Sequence, residues 1–142
     1  MKKILTCILS ALLLCTILLF SACSNTGVYK FVNLTYENRS TGKEHTLFVG
    51  NNYEGMLLTE DFATLILEKN NVAILRILEY DYDEYGNALV GSEEAFVRIG
   101  TWMKGYKNEI YIEFEGSSVI VAKRYDKRIV GEYMGVIVTL SK

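Results

Sequence analysis

Glu109-Ile110-Tyr111-Ile112-Glu113-Phe114 is the stretch that decides the fold class. Side chains alternate faces along an extended chain, so Ile110, Ile112 and Phe114 share one face and Glu109, Tyr111 and Glu113 the other. A strand with one apolar and one polar face belongs to an antiparallel sheet that lies on a core and faces water on its other side. Turn residues flank this strand and its successors: Gly105-Tyr106-Lys107-Asn108, Glu115-Gly116-Ser117-Ser118, Tyr125-Asp126-Lys127 and Met134-Gly135. These spacings predict short hairpins.

The same pattern continues outward in both directions. Runs rich in Val, Ile, Tyr, Phe and Thr predict strands at 28–36, 46–49, 56–59, 62–68, 72–80, 95–104, 109–114, 119–125, 128–133 and 136–140. The chain is thus all-β, an antiparallel meander of about eight to ten strands. Without helical crossovers such a meander is expected to close into a small barrel, because closure removes exposed edges. Segment 59–69 reads two ways. Thr59-Glu60-Asp61-Phe62 suits a helix cap, with Phe62, Leu65 and Ile66 on one helical face. The strand-turn-strand reading takes precedence, since Asp61 separates two apolar β-like runs. The sequence has no proline, as suits closely spaced strands whose backbone N–H groups need ladder partners.

The N-terminus is of another kind. Lys2 and Lys3 precede an apolar stretch from Ile4 to Phe20 broken only by Thr6, Ser10 and Thr16, the arrangement of a secretory signal. The competing reading is an uncleaved anchor helix, because the stretch lies at the lower limit for spanning a bilayer. Phe20-Ser21-Ala22-Cys23 then places small residues directly before a cysteine. This ending resembles the lipobox of bacterial lipoproteins, although Phe20 stands where an aliphatic residue is usual. The resemblance implies cleavage between Ala22 and Cys23 and acylation of the Cys23 thiol. Residues 1–22 are then a signal peptide with a helical leader, 23–27 an acylated cysteine and tether, and 28–142 one domain. Roughly 120 residues suffice for one modest core. Cys7 and Cys15 leave with the leader, so the mature chain cannot form an internal disulfide.

Removal of Lys2 and Lys3 leaves 13 basic and 17 acidic residues. Mild net acidity argues against nucleic acid as a partner. The expected location is extracytoplasmic, with the domain held at the bacterial cell membrane by Cys23.

A second resemblance covers most of the mature chain. Gly27-Val28-Tyr29-Lys30, Leu57-Leu58-Thr59-Glu60-Asp61-Phe62-Ala63-Thr64, Gly100-Thr101-Trp102 and Val138-Thr139-Leu140-Ser141-Lys142 resemble the small lipocalin-like domains of bacterial lipoproteins. Phe62 stands where that family has Gly, and 81–94 is a longer insertion. The resemblance implies a calycin-type barrel.

Residues for catalysis are sparse. His45 is the only histidine, which excludes a site built from several imidazoles, and it reads as an exposed loop residue. Glu60/Asp61, Asp81/Asp83, Glu93/Glu94 and Glu113/Glu115 read as solvated charge rather than as an acid/base pair. Asp81-Tyr82-Asp83-Glu84-Tyr85-Gly86 has part of a calcium-loop pattern, but Tyr85 and Ser92 stand at ligand positions, which favours an acidic hairpin. Lys123-Arg124-Tyr125-Asp126-Lys127-Arg128 is a basic cluster across a turn, read as solvated and open to an anionic headgroup. Aromatic residues are the remaining signal. Tyr29, Phe31, Tyr80, Phe96 and Trp102 are the candidates to line a cavity for an apolar ligand, or else to fill the barrel. The expectation is a non-enzymatic module without cofactor or metal. Its partner would be a small apolar or amphipathic ligand or an envelope protein. The alternative is a solid-core interaction lipoprotein.

Overall fold

A computed structural model describes residues 25–53, 55–89 and 94–142. The expected leader, Ala22 and Cys23 lie outside the described residues. Eleven strands follow one another: β1 Gly27–Asn38, β2 Lys43–Phe48, β3 Asn52–Tyr53, β4 Met56–Leu57, β5 Ala63–Leu67, β6 Val72–Glu79, β7 Glu94–Lys104, β8 Glu109–Phe114, β9 Ile120–Tyr125, β10 Arg128–Tyr133 and β11 Val136–Ser141. From β5 to β11 each strand pairs antiparallel with the next, and β11 pairs with β1, which pairs with β5. The result is a closed eight-stranded antiparallel barrel. No helix occurs among the described residues.

β1 is long enough to serve two purposes. Gly27 to Lys30 pair with β5, and beyond a bulge at Val32 the same edge, Asn33 to Asn38, pairs instead with β2. The gap this leaves beside β5 is crossed by the segment that carries the β3–β4 hairpin, whose Met56 and Leu58 are buried. Phe31 N–H donates to the Glu60 carbonyl and Leu78 N–H to that of Phe62, so this segment is stitched to β1 and to β6. Segment 59–69 is therefore turn then strand. Phe62 N–H donates to Thr59, and Ala63, Leu65 and Leu67 are buried in strict alternation. The Phe62 ring packs edge-on against Phe31, with centroids 5.1 Å apart.

The core sits inside the barrel. Tyr29, Phe31, Leu67, Ile110, Phe114 and Leu58 are its largest fully buried side chains, each contributing about 1.5–3 kcal/mol. Turn backbones match the hairpin reading: Lys107, Asp126, Met134, Gly116 and Gly135 all have positive φ. Because the strands form a meander, alternate turns share an end. The turns β5–β6, β7–β8 and β9–β10 surround Asn25 and Lys142 at one end, called the tether end after the tether expected there. Trp102 N–H to the Asn71 carbonyl, Arg124 N–H to that of Asn108 and Lys142 N–H to that of Lys127 join these segments.

Candidate functional site: the barrel lumen

The space inside the barrel follows from small residues at inward positions. Ala63 on β5, Ala122 on β9 and Gly131 on β10 face inward where other strands carry Leu, Ile or Phe. A Cβ at Gly131 would stand 3.2 Å from that of Ala122, so these two strands meet closely at this level. The side-chain volume they omit leaves a cavity of about 80 Å³, bounded by Leu75, Ile112, Phe114, Val138 and Leu140 among others. It lies towards the end remote from the tether, where the lining residues Ile77, Ile120 and Tyr133 are only partly buried. Every residue of the lining is apolar apart from the Tyr133 hydroxyl. Such a cavity favours hydrocarbon and disfavours water. At about 80 Å³ it is well below the ~300–1,000 Å³ typical of drug-sized ligand sites.

The five aromatic residues singled out from the sequence are not gathered around this cavity. Tyr29 and Phe31 are wholly buried and fill the barrel. The Tyr29 hydroxyl donates to the Asn25 carbonyl at 2.6 Å, and burial pushes its pKa above 10.0, partly offset by the Arg124 charge. Trp102 is half-buried at the tether end, its indole N–H donating to the Glu68 carbonyl at 2.9 Å. Tyr80 sits in a separate shallow recess with Asn52, Met56 and Ala88. Phe96 is 37% exposed because β8 reaches only as far as Gly100, leaving the first half of β7 with β6 alone. The aromatic side chains thus fill and cap, and the small residues make the room.

His45 lies on β2 rather than in a loop. It pairs in register with Tyr36, whose ring it stacks at 5.8 Å. Among the described residues no three His, Cys, Asp or Glu side chains are grouped to hold a metal. The acidic segment after Asp81 is a small hairpin closed by Tyr82 and Ala88. Asp83 organises it: its carboxylate accepts from Tyr85 N–H at 2.9 Å, from Asn87 N–H at 2.8 Å and from the Asn87 side chain at 3.0 Å. The hydrogen bond from the Asn87 side chain, followed by that from the Asn87 backbone, holds its pKa below 3.8. A pKa lowered in the closed hairpin means that closure is complete above 3.8 and weakens as pH falls through the lower native value. The Tyr85 and Asn87 amide resonances should therefore titrate together below 3.8. Titration at or above that value would contradict the assigned role. Asp83→Ala should loosen the hairpin while leaving the barrel's melting unchanged.

No family model, curated protein or solved structure matches the chain.

Proposed function

We propose that the protein is an extracytoplasmic lipoprotein, anchored through acylated Cys23, whose lipocalin-like barrel is a non-enzymatic binding module for a small apolar group. The observation that carries the binding reading is the lumen itself, apolar but for the Tyr133 hydroxyl, with partly exposed residues at its mouth. Its size selects the ligand. About 80 Å³ takes the end of an alkyl chain and excludes a whole fatty acid or a sterol. An amphipathic molecule would insert its apolar tip and leave its head in water at the mouth.

The anchor half of the proposal rests on sequence: a positive start, an apolar leader and small residues before Cys23. The two halves are separate claims with separate tests.

Binding is tested by titrating octanoate, and separately xenon, while recording side-chain methyl spectra of the protein. The expected result is saturable shifts of the Leu65, Ala122, Val138 and Leu140 methyls, with the tether-end methyls of Leu67 unmoved. Ala122→Leu replaces a methyl with an isobutyl group in the lumen and should abolish those shifts. Overpacking of this kind costs about 1–3 kcal/mol, so circular dichroism should report a folded barrel. No shift in the native chain, or shifts that survive Ala122→Leu, would overturn the binding reading in favour of a solid-core interaction lipoprotein.

A further inference from the structure

The charges of the barrel are sorted by end. At the tether end, Lys69 stands in the β5–β6 turn and Lys104 and Lys107 at the β7–β8 turn. Lys123, Arg124, Lys127 and Arg128 bracket the β9–β10 turn, and Lys142 follows β11. Against these eight cations stand three carboxylates: Glu68, Glu109 and Asp126. The opposite end is acidic. Glu37 and Glu44 flank the β1–β2 turn, Glu115 and Glu132 the turns beside β9 and β11, and Glu79, Asp81, Asp83, Glu84 and Glu94 the approach to β7. Among the described residues Arg39 and Lys43 offset them there, with Arg76 and Arg98 on β6 and β7 beyond the end of β8. A chain with a net charge of −2 is thus strongly dipolar along its barrel axis.

The tether leaves from the basic end, and it leaves short. The Asn25 carbonyl is bonded by the Tyr29 hydroxyl, and its side chain by the Arg124 guanidinium, so the chain is pinned to the barrel rim at Asn25. Cys23 lies two positions before that rim, with Ser24 alone between, a reach of about 7 Å at full extension. That is within one Debye length, ~8–10 Å, at physiological salt. Beside Asn25 a polar recess of about 230 Å³ is lined by three cations, Lys104, Lys107 and Arg124, against Glu109 and Asp126, with Asn108. Burial, and then the neighbouring Arg124 charge, hold the Lys142 ammonium below its ordinary 10.5, a sign that positive charge is crowded there.

The geometry points to the basic tether end as a docking surface for an anionic phospholipid bilayer, seated by the Cys23 anchor so that the barrel stands on its basic end. This rests on the anchor of the proposed function. The anchor supplies proximity, and lysines and arginines near an anionic surface supply orientation. The acidic end and the mouth of the lumen then face away from the membrane. Any lumen ligand is accordingly taken from the aqueous side, not extracted from the bilayer beneath.

The test uses the chain isolated from membranes, reconstituted into phosphatidylcholine bicelles with or without phosphatidylglycerol and carrying a headgroup spin label. With phosphatidylglycerol, amides of Asn108 and Asp126 should broaden strongly while those of Gly86 and Gly116 stay sharp. Each cation at the surface raises the docked-to-undocked ratio about fivefold. The exposed substitutions Lys104→Glu, Lys107→Glu, Lys127→Glu and Arg128→Glu together should therefore lower it by on the order of 100-fold or more. Salt at ~1 M, where screening is complete within ~3 Å, should do the same. Equal broadening at both ends, or broadening indifferent to phosphatidylglycerol, would overturn docking. Retention on pure phosphatidylcholine at ~1 M salt reads the anchor alone, so each claim fails separately.

Discussion

Gly100→Ala should unfold or severely weaken the barrel. Gly100 faces inward on β7, opposite Phe114 at the edge of the β7–β8 ladder. A Cβ there would lie 2.1 Å from the Glu113 carbonyl oxygen and 2.8 Å from the Phe114 ring. The first of these neighbours is backbone, which cannot swing aside, so the two strands must part. Phe114 is only 2% exposed and lines the lumen, so parting the strands also disturbs the core. Overpacking of well-filled cores typically costs 1–3 kcal/mol, and displacement of a ladder strand puts this site at about 3 kcal/mol or more. For a domain of this size that is a fall in melting temperature of roughly 10 °C or more. Thr101→Ala, the next residue along and outward-facing, is the control and should change stability by less than about 0.5 kcal/mol. A Gly100→Ala protein that melts within a degree or two of the native chain would mean that β7 and β8 do not meet as described.

The second large effect concerns location. Under the proposed anchor, Cys23→Ser removes the only cysteine beyond residue 22 and with it the acceptor of the acyl group. Each buried methylene contributes about 0.8 kcal/mol to membrane affinity, so the loss of two or more acyl chains is an all-or-none change. Incorporation of labelled palmitate should fall to background, and the chain should keep its leader and run at the unprocessed size. A serine variant that matures to the native size and still fractionates with membranes would refute the lipid anchor.

Much of the fold was legible because local alternation is strong in particular strands. The strands 109–114 and 128–133 begin and end where periodicity and turn residues place them. β3, two residues between Asn51 and the turn at Gly55, is too short to show any period. The closing pair, β1 with β11, joins the two ends of the domain. Its register and its bulge at Val32 depend on shear, which no local pattern carries. The lumen was misleading for a related reason. Aromatic residues attract notice as pocket walls, yet cavity volume arises where inward positions are small. The glycine at 131, inside an apolar strand, was the available signal of close strand approach. Its alignment with Ala122 and Ala63 needed the closed barrel. The charge sorting, by contrast, follows from the meander alone, since alternate turns share an end.

Both the proposed anchor and the proposed orientation of the barrel depend on what becomes of Cys23. Mass spectrometry of the N-terminal peptide from the membrane-bound protein reads this directly. The expected peptide begins at Cys23 and carries the mass of a diacylglyceryl thioether. A peptide that begins upstream of Cys23, or one with a free Cys23 thiol, would contradict the proposed anchor.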